Sequence, residues 1–75
     1  MNKRTLLQRI TSNAEIFGGK PIIRGHRLAV EHVLGMLKAG ETPKSLLENY
    51  SWLEKEDIDA CLLFDKETTG KEMRL

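Results

Sequence analysis

Four chain-breaking residues, Gly18, Gly19, Pro21 and Gly25, fall within eight positions, and no further glycine or proline follows until Gly35. This spacing confines irregular and extended structure to the front third and leaves the rest free to be helical. Within the front third, Lys20–Arg24 and His26–Val30 form two short apolar segments around Arg24-Gly25-His26, the pattern of a hairpin or sharp bend. Pro21 lacks an N–H and therefore belongs at a strand start or an edge. Leu6–Thr11 is expected to be a third short strand or an arm, on the β-branched residues Ile10 and Thr11.

The remainder has helical periodicity and clear punctuation. Val30, Val33, Leu34 and Leu37 share one helix face, and Gly40 is placed to terminate a helix over Val30–Ala39. Gly35 inside it costs about 1 kcal/mol relative to alanine and suggests close approach of another backbone. Thr42 can cap a second helix with Pro43 in its first position, carrying Leu46, Leu47 and Tyr50 on its apolar side. After Ser51-Trp52-Leu53 a third helix starts with acids that suit the positive end of its dipole. Leu53 and Ile58 are spaced as a hydrophobic staple if Glu54 is the cap. Ile58, Cys61, Leu62 and Phe64 form its apolar face, Gly70 is expected at or just beyond its end, and 71–75 is expected to be a loose tail. Trp52 and Tyr50 are expected to pin the turn between the second and third helices. The expected fold is mainly α: a three-helix, helix-turn-helix bundle over 30–69, preceded by a β arm or hairpin over 10–30, in one domain over 1–75.

A domain of 75 residues has a core that supplies only about 3–5 kcal/mol. A single cysteine excludes an intrachain disulfide, and one Cys with two His cannot make an ordinary structural zinc site. Self-association, as a homodimer, is the remaining staple. No apolar run reaches the roughly 20 residues that span a bilayer, and the first nine residues lack a signal-peptide core. A cytoplasmic protein is expected, with no membrane contact.

The net charge is only +1, but it is unevenly placed. Residues 1–27 carry six basic side chains against Glu15 alone, a balance of +5, and residues 28–75 carry six against ten acids, a balance of −4. An anionic partner is expected at the basic front. Catalytic signatures are missing. Phe17-Gly18-Gly19-Lys20-Pro21 fails as a phosphate loop, because Ala14 stands where the first glycine belongs and Pro21 where the hydroxyl belongs. Glu54, Glu56, Asp57 and Asp59 at an exposed helix start would stay ionised together, which suits a partner-binding face better than acid–base catalysis. His26 and His32 have no motif partner. Cys61 sits at a core position as an inert thiol. No enzyme, cofactor or metal is expected.

Residues 10–64 resemble the prokaryotic family called domain of unknown function 433. The resemblance is carried by Ile10-Thr11-Ser12-Asn13, Gly18-Gly19-Lys20-Pro21-Ile22-Ile23-Arg24-Gly25, Arg27 and Val30-Glu31-His32-Val33-Leu34. It continues through Ala39-Gly40, Leu46-Leu47, Tyr50, Leu53, Glu56-Asp57-Ile58 and Ala60. The family usually has proline at Ala14, Ala29 and Ser51, and threonine at His26. The resemblance implies a β arm followed by a homeodomain-like three-helix unit. It also implies an antitoxin-like role, in which members bind their own operator and cap a PIN-like nuclease toxin. A simple helix-turn-helix would put the third helix in the major groove, but its acidic first turn repels phosphate, so Lys20, Arg24, His26 and Arg27, with an arm of Lys3, Arg4 and Arg9, are the expected DNA contacts. Glu54, Glu56, Asp57 and Asp59 are the expected partner contacts. The alternative is a protein-binding module that neutralises the nuclease without touching DNA.

Overall fold

A computed structural model describes residues 2–72. The order of elements is α1 (Lys3–Leu7), β1 (Ile10–Thr11), a tight turn at Phe17–Gly19, β2 (Ile22–Ile23), α2 (Val30–Lys38), α3 (Pro43–Asn49) and α4 (Lys55–Glu72). The fold is mainly helical with a small antiparallel strand pair before the three-helix unit.

The amino-terminal arm differs from expectation. Leu6 and Leu7 belong to a helix, and only Ile10–Thr11 is extended. The cause is local: the Asn2 side-chain oxygen accepts from the Thr5 backbone N–H at 2.8 Å and from its hydroxyl at 2.9 Å, capping α1. α1 then lies along α4, the most extensive packing between two elements.

β1 and β2 pair with Ile10 opposite Ile23 and Thr11 opposite Ile22. On its other side β2 bridges to Ala29, and the Ile23 N–H donates to Leu28 O at 3.2 Å. The turn between these segments is closed by His26 N–H to Ile23 O at 2.8 Å, with φ +46° at Arg24 and +74° at Gly25. Two successive left-handed residues make the turn follow the twist of the flanking strands.

The helix ends follow the punctuation. Gly40, at φ +102°, ends α2 with its N–H on Leu37 O (3.1 Å) and that of Glu41 on Met36 O (3.0 Å), a Schellman motif. Thr42 and Ser45 cap α3 reciprocally, each backbone N–H donating to the other's hydroxyl. α4 departs from expectation at its far end. It runs through Gly70 to Glu72, so the expected tail begins in helix, and 73–75 lie outside the described residues. Leu62, expected on the apolar face, is 47% exposed.

The core joins the hairpin to the three following helices: Ile23 and Leu28 from the hairpin, Val30 and Val33 from α2, Leu46 from α3, and Leu53, Ile58 and Cys61 around the start of α4. Gly35 does not serve a close approach, because nothing lies within 4 Å of where its Cβ would stand. Among the described residues, no helix is long and apolar enough to cross a membrane.

Candidate functional site

The hairpin and the start of α4 meet around one carboxylate. Asp57 lies three residues into α4, and its Oδ2 accepts from the Glu54 N–H at 2.9 Å. That return toward the helix start brings it between two arginines. Arg24 Nε donates to Oδ1 at 2.9 Å and Nη2 to Oδ2 at 2.8 Å, and Arg9 Nη1 donates to Oδ1 at 3.0 Å. Arg9 also reaches Glu54 Oε1 at 2.7 Å, and Arg24 Nη2 reaches Trp52 O at 3.0 Å. The Asp57 side chain has no exposed surface. Burial alone would push its carboxyl upward, but the hydrogen bonds from Arg24, the Glu54 backbone and Arg9 together hold it below the ordinary aspartate value. Hydrogen bonds to Glu54 and then Asp57 raise Arg9, and the bond to Asp57 raises Arg24.

This arrangement corrects two expectations. Arg9 and Arg24 are not free phosphate ligands, because their guanidinium groups are committed to an internal ion network. Asp57 is not part of a partner-facing surface. The acidic cluster is split: Asp57 is buried, Glu56 is half-buried, Glu54 is held by Arg9, and Asp59 stands in solvent.

The other basic candidates are distributed differently. Lys3 pairs with Glu67 at 3.7 Å and Lys20 with Glu31 at 2.8 Å, both on open surface. Arg4 and Arg27 are exposed and have no ion pair among the described residues. His26 stacks flat on Trp52, centroids 3.8 Å apart and 3° from parallel, while Tyr50 meets Trp52 edge-on at 6.4 Å. The tip of the hairpin is thus clamped to the turn between α3 and α4, as Trp52 and Tyr50 were expected to clamp the turn itself.

Beside Arg27 lies an open groove of about 550 Å3. Phe17, Lys20, Arg27, Glu31, His32 and Tyr50 are among the residues that line it. Phe17 is 48% exposed. Sequence reasoning missed Phe17, His32 and Tyr50 as a group. The available signal was an aromatic residue directly before Gly18-Gly19, where no helix or strand periodicity explains it. Among the described residues no cluster of His, Cys, Asp and Glu is arranged to hold a metal ion.

Comparison with known proteins places this geometry in a family. The profile described as "Protein of unknown function (DUF433)" matches residues 10–64. The chain belongs to the DUF433 family. Its DUF433 segment contains both strands, the groove, Arg24 and Asp57, and leaves α1 and the far part of α4 outside. An uncharacterized protein of Sinorhizobium fredii, y4eO, is 33% identical over 55 residues, which are 73% of this chain and 25% of that protein. The chain thus spans about a quarter of the length of that relative. No solved structure matches it.

Proposed function

We propose that this chain is a small antitoxin-like DNA-binding protein of the cytoplasm, acting without catalysis and as a homodimer in a toxin–antitoxin type system. The observation that carries the reading is the His26–Trp52 stack, which holds the hairpin tip, one residue before Arg27, against the turn between α3 and α4. An exposed guanidinium with no ion pair among the described residues, next in sequence to that anchored tip, suits a phosphate of a bound duplex. Arg27 and Arg4 are the primary phosphate ligands. Lys20 and Lys3 join them, because exposed ion pairs are worth only about 0–1 kcal/mol and exchange readily for phosphate. Arg9 and Arg24 hold the scaffold.

The test is a salt titration of binding to the chain's own upstream DNA. Deleting one phosphate ligand should flatten the slope of log K against log salt by about 0.9. Arg27→Ala and the double variant with Lys20→Ala should weaken binding and flatten that slope. Affinity equal to wild type in the double variant would sink the reading.

A second reading is favoured by the half-exposed Phe17 at the mouth of the groove. In it the chain docks and neutralises a PIN-like nuclease without touching DNA. Co-purification with the product of the adjacent gene tests it.

A further inference from the structure

Two non-glycine residues hold left-handed backbone, Arg24 at φ +46° and Phe17 at φ +50°. A side chain at such a φ is strained, and the strain persists only where the surroundings over-determine it. At Arg24 the compensation is visible, since the turn aims its guanidinium at buried Asp57. At Phe17 the fold offers no equivalent, because half of the ring faces solvent. The turn itself is well held. Buried Ile16 anchors it, its N–H on Asn13 O at 2.8 Å, and Gly19 N–H returns to Ile16 O at 3.1 Å. The turn therefore presents the partly exposed Phe17 to the groove, which Tyr50 also lines.

The groove's charge limits what can fill it. Lys20 and Glu31 neutralise each other at 2.8 Å, which leaves Arg27 as the unpaired cation there among the described residues. Leu28 and Ala29 add an apolar surface. One cation beside apolar and aromatic walls fits one carboxylate next to one apolar side chain. Aromatic rings and arginine are also the side chains that dominate binding energy at protein interfaces.

We propose that the groove between Phe17 and Tyr50 docks a segment of a partner protein bearing an apolar or aromatic side chain beside a carboxylate. Phe17 is the apolar anchor and Arg27 the counter-ion, a pairing that can be bidentate. This rests on the second reading above, that the chain docks a protein.

The experiment titrates the 15N-labelled full chain with acetyl-Phe-Glu-Leu-amide and follows backbone amide shifts. Saturable shifts at Phe17, Arg27, His32 and Tyr50 are expected. Affinity should fall at least tenfold with lysine in place of the peptide's glutamate, in Arg27→Ala and in Phe17→Gly. Phe17→Gly accepts the positive φ and removes only the ring, and circular dichroism verifies its fold. The inference is overturned by no saturable shift, by shifts confined to another face, or by undiminished affinity in either variant. Tighter binding of a short oligothymidylate overturns it too, in favour of nucleic acid. The partner reading fails separately, if the wild-type chain does not co-purify with the adjacent gene product. If that co-purification succeeds while the peptide fails, only the groove assignment is overturned.

Discussion

Asp57 takes both arms of the Arg24 guanidinium, at 2.9 and 2.8 Å, from a position with no exposed surface. Thirty-three residues separate the two, and Arg9 closes the same carboxylate from the amino-terminal side. One acid thereby ties the arm, the hairpin and α4 together. Removing its charge leaves Arg24 without its carboxylate, and Arg9 with Glu54 alone. Asp57→Asn should cost about 3 kcal/mol, the lower end for a broken buried pair, because both arginines keep some exposure to water. Arg24→Lys keeps the charge but loses the fork geometry and should cost about 2 kcal/mol. Urea unfolding measures both, and an Asp57→Asn midpoint equal to wild type would remove the network from the account of stability.

The same carboxylate sets an acid limit. Its folded-state value is depressed, so the unfolded chain takes up the proton first as pH falls. Its contribution is complete above the ordinary aspartate value and disappears as pH drops through the lower, folded-state value. Urea midpoints measured from neutral to acid pH should fall more steeply for wild type than for Asp57→Asn. Parallel curves would contradict the depressed carboxyl.

Cys61 should be chemically silent in the native protein. Burial, with the negative charge of Asp57 nearby, pushes its thiol up to about 12. The thiolate, not the thiol, is the nucleophile. At pH 8 iodoacetamide should modify the chain only in denaturant, as read by intact mass. Rapid native labelling would show that the α4 core opens.

Gly35 offers a stabilising change. It lies in the middle of α2 with nothing near the place of its missing side chain. Gly35→Ala should raise stability by about 1 kcal/mol through helix propensity alone. Thermal unfolding measures it, and a loss of stability would point to a backbone packed there by a second molecule.

Elements marked by local chemistry were legible in the sequence. Gly40, Thr42 and Pro43 placed the α2–α3 junction to the residue, because a Schellman motif and a capping box are written in adjacent positions. The hairpin bend at Arg24-Gly25 was legible for the same reason. α1 was not: its cap is the Asn2 side chain alone, and Leu6-Leu7 fits a strand as well as one helical turn. Long-range pairing hid the rest. Arg9 and Arg24 count as a basic front in any composition, and their shared partner lies in the acidic half of the chain. The charge asymmetry that suggested an anion-binding face is in part the two halves of one internal network. Phe17 was hidden differently: its place before Gly18-Gly19, outside any periodic pattern, marks it as unusual but does not say whether its ring is exposed.

The His26–Trp52 stack joins fold to proposed function most directly, and it meets the Asp57 network at Arg24, whose Nη2 donates to Trp52 O and whose guanidinium carbon lies 5.7 Å from the Trp52 ring centroid. His26 lies two residues from Arg24, and its ring covers Trp52 at 3.8 Å. Stacked aromatic pairs contribute about 0.5–1.5 kcal/mol beyond the area they bury. His26→Ala should therefore cost about 1 kcal/mol, less than any change at Asp57, and leave the protein folded. The hairpin tip would then be free to move against the α3–α4 turn. Fluorescence of Trp52, the sole tryptophan, should report a more solvated indole. If Arg27 acts from a fixed place beside that turn, DNA affinity in His26→Ala should fall while the salt slope stays near wild type, because no phosphate ligand is deleted. His26→Phe keeps a flat ring and should restore most of the affinity. An affinity loss in both variants alike would make the imidazole itself a DNA ligand, and no loss in either would detach the stack from the binding surface.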